Sequence, residues 1–388
     1  MYASLGPRGG QNQPADDRDR QGLADLHTGS ARDFLRRHGR EAAEAARSGK
    51  KARFDFAQLL FRRAADTRNL KLALDHLALE GGGAPGPDGV CPSDLGPAER
   101  WDLARVLGDS IRRATYRPGP GRVVTIPKGN GRGHRSLIIQ DLQDRAVQRA
   151  ILQVLQPFVD HRFLETSFGS RPGLGREHAL AKAAALAEVE GRWTWVAEDI
   201  QDAFDQVPLN RLLDVVRTHA PADDFMSLVG VVIRNATNKG LRQGGALSPF
   251  LSNVYLDRCL DRPWRKQNPR IPLLRVVDDL LVLTRDEGES NLAQTSLRSM
   301  LVAAGMQANA SKGVIRDLAA GHSIDWLGYT IRKGGQGVDP RLSERSWERL
   351  QMALSVLHAG PDAPIRALET IEGLARPGGT MLRAEREQ

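Results

Sequence analysis

The sequence predicts an α+β fold in which a sheet carries helices on one face. From Trp193 onward the pattern reads strand, helices, strand, strand, helix, strand. Within it, the apolar runs Leu273-Leu274 and Leu280-Leu281-Val282-Leu283 flank Arg275-Val276-Val277-Asp278-Asp279, which reads as a hairpin with two adjacent acids at its tip. Upstream, Arg122–Pro127 and His134–Ile139 flank the glycine-rich turn Lys128-Gly129-Asn130-Gly131-Arg132-Gly133, a second hairpin.

Composition bounds the rest. The chain has 388 residues, enough for one large multi-lobed domain or two to three smaller ones. Its formal charge of +8, carried mostly by Arg, suits a polyanionic partner, although a GC-rich genome would enrich Arg and Ala as well. The two cysteines, Cys91 and Cys259, are far apart and lack neighbours at ligand spacing, which argues against a zinc site and excludes a disulfide framework. No apolar run approaches the ~20 residues of a membrane span, and the N-terminus lacks the apolar core of a secretion signal. The expectation is a soluble, cytoplasmic protein without a membrane partner.

In chain order, residues 1–30 are polar and read as a disordered extension. Ala31 to about Ala65 is helical and heavily charged, and Leu70–Leu79 is a further helix. Gly81 through Gly89 breaks it, and Pro97–Arg113 forms the next helix. After the first hairpin, Asp141 is placed as the N-cap of a helix with Leu142, Val147, Ile151 and Leu155 at helical spacing. Glu177–Glu190 is an Ala-rich helix ended by Gly191, and Trp193–Ile200 alternates as a strand. Leu209–His219, Ala222–Arg234, Ser248–Leu260 and Ser290–Ala304 read as helices, and Ile324–Arg332 as a last strand. Ser343–His358 and Ala363–Leu374 are helical stretches after Gly334-Gly335-Gln336-Gly337.

Adjacent carboxylates in so apolar a stretch cost several kcal/mol unless a cation compensates. A hairpin tip presenting Asp278 and Asp279 to a divalent metal accounts for them. A third carboxylate is best sought at a strand end, and Glu198-Asp199-Ile200-Gln201-Asp202-Ala203-Phe204-Asp205 closes the strand that starts at Trp193. Taken alone, Asp199 reads as a helix N-cap. Together with the hairpin tip it gives the converging carboxylates that two-metal phosphoryl transfer needs.

These residues resemble a family. Asp199-Ile200-x-x-x-Phe204-Asp205 looks like the first metal motif of reverse transcriptases, and Arg275-Val276-Val277-Asp278-Asp279 like their Tyr-x-Asp-Asp turn. Gly240-Leu241-Arg242-Gln243-Gly244-Gly245-Ala246-Leu247-Ser248-Pro249-Phe250-Leu251-Ser252-Asn253 is similar to the Gln-Gly motif of group II intron-type enzymes. Tyr116-Arg117-Pro118, Ile126-Pro127-Lys128, Arg135 to Ile139, Asp144 to Gln148 and Ser167 to Gly173 follow the same branch in order, as does the early turn Pro87-Asp88-Gly89-Val90. Ser311-Lys312 and Trp326-Leu327-Gly328-Tyr329 match later motifs. Any one motif is weak; their order from about Leu70 to Arg332 makes the resemblance specific.

The resemblance implies a right-hand polymerase with fingers, an antiparallel palm and a short thumb. The corresponding divisions are a basic, disordered or helical extension at 1–50, fingers at 51–190, palm at 191–335 and a helical thumb-like region at 336–388. It implies an RNA-directed DNA polymerase that extends a DNA or RNA primer on an RNA template from dNTPs. Asp199, Asp278, Asp279 and the Ile200 carbonyl would hold two Mg²⁺, with Mn²⁺ as a substitute, and Lys312 would act on the leaving pyrophosphate. Lys128, Arg135, Phe204, Gln243 and Gly244 would form the nucleotide pocket. Arg171, Ser248, Asn253, Gly328 and Tyr329 would lie along primer and template. The ring of Phe204 falls where the family discriminates against a ribose 2′-hydroxyl.

Two positions depart from the pattern: Val276 stands where Tyr is usual, and Arg242 where Pro is usual before the glutamine. No Cys- or His-rich endonuclease segment follows, which favours a free-standing group II-like or retron-type enzyme. Phage or antiviral defence, retron, repair and CRISPR-associated settings stay open, as does a dedicated structured non-coding RNA. The alternatives are a non-catalytic, maturase-like RNA-binding protein and protein-primed or template-independent DNA synthesis.

Overall fold

The computed structural model describes residues 17–79, 83–127 and 134–357. An N-terminal helical layer comes first: α1 (Asp17–Arg47), α2 (Lys50–Ala57), α3 (Leu60–Ala64), α4 (Thr67–Leu79) and α5 (Pro97–Arg112). The expected disorder of residues 1–30 does not extend through residue 30, because α1 already begins at Asp17. Nor is the region detached. Ala42, Ala45 and Ala46 enter the main core, and the Nε2 of buried His38 lies 2.9 Å from the Val154 carbonyl.

The hairpin forms as read, from β1 (Gly121–Pro127) and β2 (His134–Gln140) in antiparallel register, Ile126 opposite Arg135. Helix α6 (Leu142–Val159) follows, with Val147, Ala150, Ile151, Val154, Leu155 and Phe158 forming its buried stripe. Its cap differs from the expectation. The Asp141 side chain does not cap the helix; its Oδ1 accepts from the Asp88 amide at 3.0 Å. Asp88 Oδ2 in turn accepts from the Leu142 amide at 3.2 Å. The early Pro-Asp-Gly turn is therefore the cap, supplied from a distant segment.

Helix α7 (Arg176–Glu190) ends on Gly191 at φ 67 and leads into β3 (Thr194–Asp199). Then come α8 (Ala203–Gln206), α9 (Leu209–His219), α10 (Asp223–Ile233) and α11 (Ser248–Leu256). A π turn at Asp257–Asp261 joins α11 to α12 (Arg262–Gln267), so the predicted helix runs on to Gln267. Strands β4 (Leu273–Val276) and β5 (Asp279–Thr284) form the acidic hairpin. After α13 (Glu287–Ala303) lies the short strand β6 (Val314–Asp317), absent from the sequence reading.

The central sheet has the order β4-β5-β3-β6 and is antiparallel throughout. Val196, Leu280 and Val282 face helices including α13, which contributes Leu297 and Leu301. The opposite face is filled too: Trp195, Ala197, Leu281 and Leu283 meet Ala179 and Ala183 of α7. Burial on both sides explains the unbroken apolar run Leu280–Leu283.

The segment expected as one strand at Ile324–Arg332 is two, β7 (Ser323–Trp326) and β8 (Tyr329–Gly334), paired with β9 (Gly337–Leu342) in a second sheet. Leu327 and Gly328 both have positive φ, 53° and 88°, so Trp326–Tyr329 is a tight hairpin turn. Strand β9 occupies the start of the expected helical thumb, and α14 (Glu344–Leu357) follows it. The stretch Ala363–Leu374 lies outside the described residues. Among those described, no helix is long and apolar enough to cross a membrane.

Candidate active site

Sheet register brings the acids together. Asp199, last in β3, is the cross-strand partner of Asp279, first in β5, so both side chains project from one face. Val276 pairs with Asp279, leaving Val277 and Asp278 as a two-residue turn. Val277 sits at φ 59, left-handed for a β-branched residue; such positions cost on the order of 1–3 kcal/mol and persist only where surroundings hold them. Here the Ile200 amide donates to the Asp278 carbonyl at 3.0 Å, and Gly169 lies against Val277 so closely that a Cβ would meet its nitrogen at 2.5 Å.

Asp199 is engaged from the loop before β6. Lys312 Nζ donates to Oδ2 at 2.7 Å, and Asn309 Nδ2 to Oδ1 at 3.2 Å. The Asn309 amide also donates to the Asp199 carbonyl at 2.7 Å. Burial, then the neighbouring charges of Asp278 and Asp199, push the Asp279 carboxyl up to about 7. Burial also raises Asp278, opposed by its own backbone amide, while Asp199 raises it further. Arg176 and Lys312 act against the rise at Asp279.

A divalent cation is the chemical complement of this donor set: hard carboxylate oxygens, with the Asp278 and Asp279 carboxyls raised by burial and then by neighbouring negative charge, both of which a cation would offset. Among the described residues no three His, Cys, Asp or Glu side chains already converge as a ready ion site. The Asp199 carboxylate is turned to Lys312 and Asn309 instead. Asp199, Asp278 and Asp279 fit the ion by donor type, and strand register sets Asp199 opposite Asp279.

Asp199 and Asp278 open into a cavity of about 980 Å³, which Asp279 does not line. Asp199, Ile200 and Asp278 line it, with Asp202, Phe204 and Asp205 of the segment after β3. The Gly240–Gln243 loop forms another wall, and Val123, Ser136 and Ile138 of the hairpin a third. Lys312, Lys239, Arg242, Arg345 and Arg349 set cations around the four lining carboxylates, which suits phosphate.

Several expected site residues have different partners. Gln243 reaches the cavity, but its Nε2 donates to Asp205 Oδ2 at 3.0 Å and its carbonyl accepts from the Ile138 amide at 2.9 Å. Gly244 is at φ 101, with Ile138 O 3.2 Å from where a Cβ would sit, so only glycine lets the loop lie on β2. Arg171 is not presented to nucleic acid: it pairs with Asp160 at 2.9 Å and donates to the Leu164 and Ser167 carbonyls. Ser248 is buried and its hydroxyl donates to the Arg242 carbonyl at 2.8 Å. Asn253 is fully buried, bonded to the Gly169 carbonyl and to Arg275. Tyr329 is buried in the second core, and Gly328 forms the β7–β8 turn with its carbonyl accepting from Ser343 and Ser346. Lys128 lies outside the described residues; Arg135 is described only by its backbone register.

Asn309 and Arg176 were not singled out from sequence, and Asp205 and Arg275 were quoted within motifs but given no role. Asn309 had a weak signal, three residues before Lys312; the others act across 14 to 151 residues of chain, beyond local pattern.

The reverse transcriptase (RNA-dependent DNA polymerase) family profile matches residues 126–331, more than half of the chain. The chain belongs to this family. Its fold is that of a reverse transcriptase, with β3, β4 and β5 as the sheet carrying the acids. The protein YkfC of Escherichia coli K12 is 34% identical over 47% of this chain and 50% of its own. The group II intron-encoded protein LtrA of Lactococcus lactis subsp. cremoris is 29% identical over 38% of this chain and 26% of its own. The chain thus spans half or less of these curated relatives. Apo telomerase from Candida tropicalis has a TM-score of 0.46 at 14% identity, covering 62% of this chain and 52% of that one.

Proposed function

We propose that this reverse transcriptase copies RNA into DNA, extending a primer from dNTPs at Asp199, Asp278 and Asp279. The observation that carries it is the register pair Asp199–Asp279, with Asp278 beside it on a strained turn and Asp199 and Asp278 on one wall of a cavity large enough for a nucleotide. The family profile, that of an RNA-dependent DNA polymerase, supports an RNA partner.

In this reading the division is fingers at 51–190, palm at 191–335 and a thumb region starting near 336, with β9 joined to the palm's edge. The N-terminal helices from Ala31 pack into the fingers. Asp199, Asp278 and Asp279, with the Ile200 carbonyl, would hold two Mg²⁺, which when bound lower the barrier by activating the 3′-hydroxyl and neutralising the triphosphate. The protein's own groups do the rest. The basic lining from Arg242, Lys239 and Arg345 binds phosphate charge. Phe204, held by its carbonyl's bond from the Leu241 amide at 2.8 Å, bounds the space for the sugar. Lys312, ion-paired with Asp199 Oδ2 at 2.7 Å and lining the cavity, would serve the leaving group as a proton donor. Gln243 acts on Phe204 through Asp205, one residue along α8, and so shapes the pocket indirectly.

The test is primer extension on an RNA template with Mg²⁺ and dNTPs. Wild type should give product and Asp278→Ala none; absence of the first, or equality of the two, rejects the reading. Phe204→Ala should raise ribonucleotide incorporation, and unchanged discrimination would remove Phe204 from the sugar site.

A further inference from the structure

Arg275 is fully buried beneath the acidic turn, and the chemistry above makes no use of it. Its guanidinium is saturated. Nε and Nη2 grip Asp261 at 3.0 and 2.6 Å, Nη2 also reaches Ser167 Oγ at 2.8 Å, and Nη1 reaches Asn253 Oδ1 at 2.7 Å. The remaining Nη1 contact is to the Val277 carbonyl at 3.2 Å. All five N–H groups are thus matched by acceptors. The main chain of Arg275 is fixed as well: its amide donates to Thr166 O and its carbonyl accepts from Phe168, each at 2.9 Å.

The π turn explains why these acceptors meet. Asn253 and Asp261 are eight residues apart, which on a regular α-helix would set them about 80° apart around the axis. The π turn, closed by the Arg262 amide on the Asp257 carbonyl, accommodates one extra residue. Seven effective steps leave the two side chains within about 20°. Both then face Arg275. An irregularity that weakens a helix is placed where it completes the ring of acceptors around one guanidinium.

We infer that Arg275 is a positioning residue for Asp278 and Asp279: through the Val277 carbonyl it holds the turn in its left-handed conformation, and through Asn253 and Ser167 it fixes the Gly169 loop against that turn. This rests on the proposal that the acids are the catalytic carboxylates. Lysine would keep the charge and lose the fan of donors, so the role is specific to arginine.

The test uses full-length protein, with free Mn²⁺ measured by EPR during titration, and kcat and KM for dNTP measured separately. Arg275→Lys should weaken Mn²⁺ binding at least about tenfold, as loss of a supporting contact does. It should lower kcat on the order of 100-fold with KM changed little, as a displaced catalytic group does. Arg192→Lys is the control. That arginine is also buried, pairing with Glu190 at 2.7 Å and bonding the Leu283 carbonyl at the far end of β5; it should lower the melting temperature and leave Mn²⁺ affinity unchanged. Asp261→Asn, a milder change, should give an intermediate loss, and it decides the matter if Arg275→Lys does not fold. Wild-type Mn²⁺ affinity and kcat in the folded variants, or losses no larger than those of Arg192→Lys, overturn the inference alone. A wild type that neither binds Mn²⁺ nor extends a primer overturns the polymerase reading and this inference together.

Discussion

Gly169→Ala should disable the site by contact alone. The φ of Gly169 lies outside the left-handed region, so alanine meets no backbone strain there. Its Cβ would instead lie 2.5 Å from the Val277 nitrogen and from Val277 Cγ2, and 3.0 Å from the Val276 carbonyl carbon. Two of these are backbone atoms and cannot swing aside. Opening the contact from 2.5 Å to the 3.4 Å at which ordinary contact begins moves the loop or the turn by about 0.9 Å. The loop is tied by Asn253 to the Gly169 carbonyl and by Phe168 to the Arg275 carbonyl, so part of the shift falls on the turn and therefore on Asp278. A displacement near 1 Å lowers rate about 100-fold, equivalent to ~2.7 kcal/mol of barrier. Overpacking should also remove about 1–3 kcal/mol of stability. Primer extension on an RNA template, with a thermal melt of the same preparation, measures both. Gly39→Ala is the control: nothing lies within 4 Å of its Cβ and it sits within α1, so it should stabilise by up to ~1 kcal/mol and leave rate unchanged. A Gly169→Ala protein with wild-type kcat would refute the coupling between loop and turn.

Two further outcomes follow from the same contacts. In EDTA, the Asp279 carboxyl keeps its proton up to about 7 when folded, against 3.8 as its ordinary value. Its contribution to stability is therefore full below pH ~4 and lost as pH rises through about 7. About three units at ~1.4 kcal/mol each give a ceiling near 4 kcal/mol, and partial solvent access brings this to about 2. Asp279→Asn should then gain on wild type by about 2 kcal/mol between pH 4 and 8, read from denaturant melts; a gap that does not change with pH refutes it. Asp88→Ala should cost about 1 kcal/mol through loss of the α6 cap, with kcat unchanged. An unaltered melting temperature would show that solvent replaces the cap.

What was legible in the sequence was local. Helix α9 has the bounds its apolar spacing indicated, and the acidic hairpin is where its flanking runs placed it. The β7–β8 turn was not legible because Trp326-Leu327-Gly328-Tyr329 is apolar throughout and its first left-handed residue is leucine, not the Asn or Asp that marks such turns. Strand β6 was missed because four residues, three half-buried and one exposed, carry little periodicity. Among site residues, the pairing of Asp199 with the Asp278-Asp279 turn was reachable from motif order. Arg171, Ser248 and Asn253 have partners that motif membership did not indicate: it marks a residue as part of the site's architecture but does not say which way it points. Their partners are Asp160, the Arg242 carbonyl and Arg275.

The two valines before the acids now have a physical account. Val276 is buried in the second core with Phe168, Leu274 and Leu281. At this position an aromatic residue would bring a larger body and, in tyrosine, a hydroxyl needing a partner. Val277 meanwhile holds a left-handed φ that favours glycine or asparagine. A turn made of such residues has little preference of its own for this conformation, so its geometry must come from what surrounds it: Ile200 at the Asp278 carbonyl, Gly169 against the Val277 nitrogen, and Arg275 below. The adjacent acids are tolerable in an apolar hairpin because this frame, and not the local sequence, keeps them at its tip.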